Sequence, residues 1–578
     1  MRSRHIVTLL ILAVLPTCAR TAEESSAGPL AGVAPSWPHV SKARVTNAST
    51  ALVVSGSPIA SQVGLDLLRQ GGNAVDAAVA VGFALAVVDP EAGNLGGGGF
   101  MVIRQNTGSV SVLDYRETAP WRATPDMYSD EIAQPNDRSV TGHLAAAVPG
   151  SVAGLVEAHR RFGRLPLKVV ISPAIRLATE GFIVDEKRSR SIRENWARLV
   201  QFEATRASFL PGGRPPQPGE SLIQSDLSTT LRAIQQEGSD GFYRGPVAKL
   251  IVAEMERGNG IISLEDLADY RPVWREPLTL WYRGFTIFSP PPPSSGGVVL
   301  GEILGILEGF SPLPPFGSPT LLHLEAEAMR RAYVDRNTKL GDPAFVINPI
   351  DQLLSPAYTQ SLRSSIGPRA TPTSSLQSEL TDSRPGQSTT HYSVVDEHGN
   401  AVSATTTLND LFGSAVTVTG AGFLLNDEMD DFATHPRSPL AGGLVQGDRN
   451  KIAPGKRMLS SMTPIIVLDQ KGRLYLILGS RGGARIITQV YQVLSNVIDH
   501  HMTLPQAVAA PRIHHQALPD ALGFEPLGFL EAVLDSLRAR GHVVNPLPGA
   551  GDVEAIMRTK AGWIGVSDPR SGGGGAGY

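Results

Sequence analysis

The sequence predicts a loop-rich fold of the α/β or α+β class, and three observations carry that prediction. Glycine (60) and proline (44) are abundant while only 18% of the 578 residues are charged, a composition of tight turns rather than of long solvated helices. Residues 74–88 are apolar almost throughout, which marks a helix buried between other elements. Residues 100–115 and 390–408 each read as strand, turn and strand. Length alone, at about 150 residues per domain, suggests three or four domains.

The elements follow in chain order. Arg2 and Arg4 precede the run Ile6–Leu15, apolar but for Thr8, which is the layout of a secretory signal and too short to span a bilayer. Cleavage after Ala19 is expected, so residues 1–19 form a signal peptide. Leu15-Pro16-Thr17-Cys18 is a looser match to a lipoprotein box, and Cys18 is the chain's one cysteine. A single cysteine excludes an intramolecular disulfide and a Cys-based zinc cluster. No later stretch reaches the roughly 18 apolar residues of a membrane helix, so the mature protein is expected to be exported, periplasmic or secreted, with a lipid tether on Cys18 as the alternative. Lys and Arg (51) nearly balance Asp and Glu (54), which argues against a nucleic-acid partner.

Ser57-Pro58 is an N-cap followed by a first-turn proline, and Ile59, Val63, Leu67 and Leu68 set a helical period that ends at Gly71-Gly72. Helices are expected at 151–162, 319–340 and 525–540, the last two closing at Gly341 and Gly541. Residues 363–388, rich in Ser, Thr, Pro, Gly and Gln, bury too little to offset chain entropy and read as a flexible linker. The linker feeds a hairpin of Thr390–Asp396, a turn at His398-Gly399, and Ala401–Leu408. Two apolar strands at 464–468 and 474–478, a glycine turn and a helix follow.

Four places carry candidate chemistry. The run Gly93–Gly99 stands after a helix and before a strand, the reverse of a dinucleotide fingerprint. It reads as a turn where backbone meets backbone, positioning the strand that leads to Arg116, a residue suited to bidentate capture of a carboxylate or to an ion pair with its acidic neighbours. At the linker's end, Thr389 has the chemistry of a nucleophile if the chain is cut before it, since its own α-amino group then serves as base; the plainer reading is a polar strand entrance. Hairpin arithmetic sets Thr389 opposite a residue between 407 and 409, within reach of Thr407 and Asn409. Downstream lie the acidic run 426–431, which lacks the calcium-loop spacing, the pair Ser460-Ser461 outside any nucleophile elbow, and Gly482-Gly483, whose N–H groups at a helix start suit an oxyanion. The pairs His500-His501 and His514-His515 point in diverging directions and read as structural.

Together, Thr389–Ser393, Asn426–Phe432, Leu459–Met462 and Gly479–Gly483 resemble the γ-glutamyltranspeptidases, also called γ-glutamyltransferases or glutathione hydrolases. The resemblance extends through Asp89-Pro90, Gly96–Gly99, Arg116, Pro291–Gly297, Pro511–Gln516 and Ser567–Arg570. It implies an N-terminal-nucleophile hydrolase with an αββα sandwich, one fold formed by two chains from one self-cleaving precursor: a large subunit, 20–388, and a small catalytic subunit, 389–578. On this resemblance Thr389 cleaves the Ser388-Thr389 bond and becomes the nucleophile, Thr407 orients its hydroxyl, and Gly482 and Gly483 supply the oxyanion hole. Arg116, Ser460 and Ser461 bind the α-carboxylate of the γ-glutamyl group, and Asn409, Glu428 and Asp431 its α-amino end. No metal or organic cofactor is implied; the substrates are glutathione and related γ-glutamyl compounds, with an amino acid, a peptide or water as acceptor.

Two positions depart from the family's pattern. Arg481 stands where many members have proline, which alters the edge of the oxyanion turn, and Gly442 stands where a lid tyrosine is common, which implies a more open site. A glutaryl-type cephalosporin acylase, which grips no α-amino group, and a non-catalytic exported amino-acid or peptide binder are the competing expectations.

Overall fold

The computed structural model describes residues 32–39, 42–128, 138–376, 388–433, 447–547 and 551–578. The signal segment, Cys18 and Gly442 lie outside the described residues.

Two seven-stranded antiparallel sheets form the centre. One orders Gly574–Gly577, Leu52–Ser55, Ser388–Val395, Ala401–Asn409, Gly98–Arg104, Val110–Asp114 and Val273–Arg275. The other orders Arg44–Ala48, Gly562–Ser567, Asp552–Thr559, Leu474–Arg481, Ile465–Leu468, Phe285–Ser289 and Leu278–Tyr282. Alternating side chains divide each strand between two cores. Val54, Val102, Val395, Ile466 and Ile477 fill the space between the sheets. Their neighbours Val53, Met101 and Val394 face outward onto the helices Pro58–Arg69 and Ala74–Val88. A one-residue slip of any central strand would exchange the two cores, which fixes register. On the far side, Gly296–Glu308, Pro319–Lys339 and Arg485–Ile498 cover the second sheet. The architecture is therefore an αββα sandwich spanning most of the chain, not three or four domains.

The Ala74–Val88 helix is buried along its whole length, as its composition requires. A capping box supplies its start: Asn73 accepts from Val75 and Asp76 N–H, and Asp76 accepts the Asn73 N–H at 2.9 Å. Two expectations change. The helix placed at 525–540 spans Glu531–Ala539, because Leu522–Phe524 is a strand and Pro526, Leu527 (φ 64°) and Gly528 form a turn before it. The first half of the 363–388 segment is docked rather than loose. Arg363 closes the helix Pro356–Ser364, Ala370 N–H donates to the Arg540 carbonyl at 2.8 Å, and Thr373 Oγ1 donates to the Ala517 carbonyl at 2.8 Å. Composition missed these contacts because they are made by polar backbone and hydroxyl groups.

Candidate active site

The site lies at one end of the sandwich, where strand termini and their following turns converge. In the hairpin, Ser388 pairs with Asn409 and Thr390 with Thr406, so Thr389 stands opposite a bulge formed by Thr407 and Leu408. A bulge re-aims the side chain it carries. Here it brings Thr389 Oγ1 to 3.3 Å from Thr407 Oγ1, within the window that hairpin arithmetic sets. The Ser388 carbonyl accepts from Thr407 Oγ1 at 2.8 Å and from the Thr389 hydroxyl itself. Asn409 N–H donates to Thr407 Oγ1 at 2.8 Å, fixing that hydroxyl's remaining lone pair. Asn409 holds φ at 82°, unusual for a non-glycine residue, and its amide donates to the Asp427 carbonyl at 3.1 Å. Strained backbone of this kind gathers at functional sites.

The glycine run does the job expected of close-packed backbone. A Cβ at Gly97 would stand 2.0 Å from the Thr407 carbonyl oxygen, so only glycine lets this turn lie against the strand that carries Thr407. Next to it, Gly99 and Tyr115 exchange backbone hydrogen bonds at 3.0 and 3.3 Å and fix the chain entering Arg116. Arg116 is 1% exposed. Its Nη1 lies 2.6 Å from Glu428 Oε2 and 3.4 Å from Glu117 Oε2, and its Nη2 pairs with Asp431. Burial works against its charge, but Glu428, Asp431 and Glu117 outweigh burial and hold it protonated. Neither Glu428 oxygen makes a well-directed hydrogen bond; burial works against its charge, and Arg116 at 2.6 Å opposes burial and favours the carboxylate. Burial likewise pushes Glu117 up to about 7, with Arg116 opposing.

Ser460 and Ser461 are held by the proline-serine turn before the Gly296–Glu308 helix. Ser460 N–H donates to the Pro293 carbonyl at 2.8 Å, and the Ser460 carbonyl accepts from Ser295 N–H at 2.8 Å and Ser295 Oγ at 2.6 Å. Gly482 (φ 127°) and Gly483 (φ 57°) make the turn between Leu474–Arg481 and Arg485–Ile498 with backbone angles that favour glycine. Among the described residues their N–H groups donate to no backbone carbonyl. Arg481, the departure noted above, is tied down: Nη1 donates to Glu91 Oε1 at 3.2 Å and Nε stands 3.6 Å from Asp552 Oδ2.

Nine of the ten predicted residues line one recess: Arg116, Thr389, Thr407, Asn409, Glu428, Asp431, Ser460, Ser461 and Gly483, with Gly482 adjoining. Ser388, the residue before the expected cut, also lines the recess, as do Met462, Ala484 and Ile486, to which sequence reasoning gave no role; apolar or small residue types carry no chemical signal that would single them out. His391, two residues from Thr389, is buried and pushed down to about 3, so it is neutral. His514 is the same, donating or accepting with Thr488 Oγ1 and Gln516 Oε1 at 2.9 Å each. Among the described residues the cluster close enough to share a metal ion is His323, Glu327 and His542, but Glu327 is already held by Arg331 at 2.6 Å and Arg330 at 3.3 Å.

A strand-leading threonine whose hydroxyl rests on the carbonyl before it, at the end of an αββα sandwich, defines an enzyme of the N-terminal-nucleophile hydrolase class. Residues 60–578 match the family model described as gamma-glutamyltranspeptidase, and the chain belongs to that family. It is 44% identical over 529 residues to the "Glutathione hydrolase proenzyme" of Escherichia coli (strain K12), covering 91% of each chain. It is 41% identical over 517 residues to the "Acylase ACY 1 proenzyme" of Pseudomonas sp. (strain SE83), covering 88% of this chain and 90% of that one. The crystal structure of the cephalosporin acylase from Bacillus halodurans superposes with a TM-score of 0.82 at 28% identity, covering 94% of this chain and 98% of that one.

Proposed function

We propose that the protein is a γ-glutamyltransferase with glutathione hydrolase activity, made as an exported precursor that cuts itself between Ser388 and Thr389. One observation carries the proposal: the Thr389 and Thr407 hydroxyls both lie on the Ser388 carbonyl, beside a recess lined by Arg116, Ser460 and Ser461 together with the carboxyl groups of Glu428 and Asp431.

The cut uses groups already in place. Thr389 Oγ1 attacks the Ser388 carbonyl carbon while Thr407 donates to the oxygen, whose charge grows. The C–N bond breaks, the acyl group moves to Oγ1, and the new Thr389 amine takes the proton. Water then hydrolyses the ester, leaving a chain of about 20–388 with a free carboxylate and a chain 389–578 with a free amino terminus. The two remain one fold, because Ser388–Val395 lies between strands from both segments.

In the mature site the Thr389 amine, with an ordinary pKa of about 7.7–8.0, takes the hydroxyl proton as Oγ1 attacks the γ-carbonyl of the donor. Gly482 and Gly483 N–H groups receive the oxyanion. The proton passes to the leaving amine, cysteinylglycine where the donor is glutathione, and a γ-glutamyl ester remains. Water gives glutamate, and an acceptor amine gives a new γ-glutamyl amide. The donor's α-carboxylate faces Arg116, Ser460 and Ser461, and its α-ammonium faces Glu428, Asp431 and Asn409.

Near-equal identity to a glutathione hydrolase and to an acylase leaves the choice of donor to the site. Glu428, buried and without a directed hydrogen bond, favours a donor that brings an ammonium. Export accords with the leader sequence, and among the described residues no helix is long and apolar enough to cross a membrane.

The test combines mass and turnover. Intact mass with N-terminal sequencing of the purified protein is expected to give two chains, the second beginning at Thr389, and Thr389→Ala is expected to stay full length. Release of p-nitroaniline from γ-glutamyl-p-nitroanilide should exceed release from glutaryl-p-nitroanilide. A single intact wild-type chain would sink the catalytic proposal, and preference for the glutaryl donor would move the protein to the acylases.

A further inference from the structure

Arg336, on the Pro319–Lys339 helix, is 1% exposed. Its Nε donates to Ser295 Oγ at 2.9 Å, its Nη2 to Ser461 Oγ at 3.1 Å and its Nη1 to Asn337 Oδ1 at 3.1 Å. All three acceptors are neutral. Other buried arginines here have carboxylates: Arg116 has Glu428, Arg188 has Asp89, Arg331 has Glu327 and Arg512 has Asp568. Among the described residues no carboxylate pairs with Arg336. Burial lowers it to about 10, so it stays charged at neutral pH. A buried charge with no carboxylate in contact, Asp431 acting on it only from a distance, is costly, and perturbed buried charges of this kind gather at functional sites.

We infer that Arg336 is a positioning residue that makes the donor site specific for a carboxylate, acting through the two serines it organises. The inference rests on the donor-site reading above. Because Arg336 donates to Ser461 Oγ, the Ser461 hydrogen is directed elsewhere, and Ser461 lines the recess. A hydroxyl that accepts from a guanidinium is also a stronger donor. The second arm runs through Ser295, whose Oγ accepts from Arg336 and donates to the Ser460 carbonyl at 2.6 Å. One guanidinium therefore holds the Ser461 hydroxyl directly and the Ser460 backbone through Ser295, behind the recess those two serines line. Arg116 alone does not supply the positive charge there, since Glu428 and Asp431 engage it. The ligand class this favours is a carboxylate, and a donor whose carboxylate is converted to an amide leaves Arg336 uncompensated.

The experiment measures KM and kcat for γ-glutamyl-p-nitroanilide and for its α-carboxamide analogue in wild type and in Arg336→Met, both checked for cleavage into two chains. Arg336→Met is expected to raise KM for the carboxylate donor at least tenfold, with kcat and the carboxamide donor's KM moving less than threefold. Equal losses on both donors, or an unchanged KM, would overturn the inference, because a merely structural role does not distinguish the two donors. Should Arg336→Met fail to yield cleaved enzyme, Arg336→Lys carries the test. Lysine keeps the charge and loses the fork, so KM for the carboxylate donor should rise three- to tenfold with the carboxamide donor unchanged, and equal losses again overturn it. A wild type inactive on both γ-glutamyl donors but active on glutaryl-p-nitroanilide would refute the γ-glutamyl reading only. The same ratio taken with glutaryl-p-nitroanilide and its terminal carboxamide would then decide the role of Arg336.

Discussion

Thr407→Val isolates the contribution of one hydroxyl to self-cleavage. In the uncut chain two groups reach the Ser388 carbonyl oxygen, the Thr389 hydroxyl and Thr407 Oγ1 at 2.8 Å. Thr389 loses its proton as it attacks, so Thr407 is the donor that remains when negative charge forms. Removing one donor of this kind costs about 2.7–4 kcal/mol of transition-state stabilisation, which corresponds to cleavage slower by about a hundred- to a thousandfold. Valine keeps the branched shape, but it also strips the Asn409 N–H of its acceptor, at about 1–3 kcal/mol of stability. Thr407→Ser keeps the hydroxyl and is the control. The assay is the disappearance of precursor mass with time in both variants, with far-ultraviolet circular dichroism to show that each is folded. A folded Thr407→Val that cuts within threefold of wild type would refute the assignment, and a Thr407→Ser as slow as Thr407→Val would shift the effect to the methyl group.

Three further outcomes follow from the buried charges. Glu325 is pushed up to about 8 by burial, with the Tyr491 hydroxyl donating to it at 2.9 Å. A carboxyl raised in the folded state contributes stability that is complete below about 4.5 and is lost as pH rises through about 8. Glu325→Gln should therefore gain on wild type between pH 5 and 9 by on the order of 4 kcal/mol, read as a widening difference in Tm; a constant difference counts against it. Arg481→Ala leaves Glu91 and Asp552 with one cation fewer and should cost about 3 kcal/mol of stability in urea unfolding, more than Ala at the exposed Arg160. Glu428→Gln should lower kcat/KM for the γ-glutamyl donor at least tenfold relative to the glutaryl donor, and an unchanged ratio would remove Glu428 from ammonium recognition.

The fold was legible wherever one residue type had one consequence. The buried Ala74–Val88 helix, the hairpin around Gly399 and the capped helix at Pro58 follow from apolar content, turn glycine and Ser57-Pro58. The 525–540 helix was misplaced at its start because apolar spacing continues through a turn that Pro526 and Gly528 impose. The docked half of 363–388 was invisible because polar contacts such as Thr371 N–H to Glu327 Oε1 at 3.1 Å depend on a distant helix. In the site, Thr389, Thr407 and Asn409 were bracketed by strand register, while Arg116, Glu428, Asp431 and the serines came through resemblance to a family. Arg336 carried no signal in the sequence: it is one of several charged residues on a helix whose burial is known only when the second sheet is in place.

The pairing within the recess also bears on why a zwitterion suits the proposed function. Arg116 is engaged by Glu428 and Asp431 before any donor arrives, so the recess is already internally paired apart from Arg336. On the proposed donor placement, a donor with both an α-carboxylate and an α-ammonium would exchange these contacts: its carboxylate would replace Glu428 and Asp431 at Arg116, and its ammonium would take the carboxylates released. No net charge is added by that exchange, which limits the desolvation cost of burying it. A glutaryl donor brings the carboxylate alone, so every contact it makes with Arg116 is made against two carboxylates with nothing to receive them. On that placement the discrimination would arise less from attraction to the amino group itself than from what its absence leaves unpaired, so the paired acidic residues, rather than the cation, would decide between a γ-glutamyl and a glutaryl substrate.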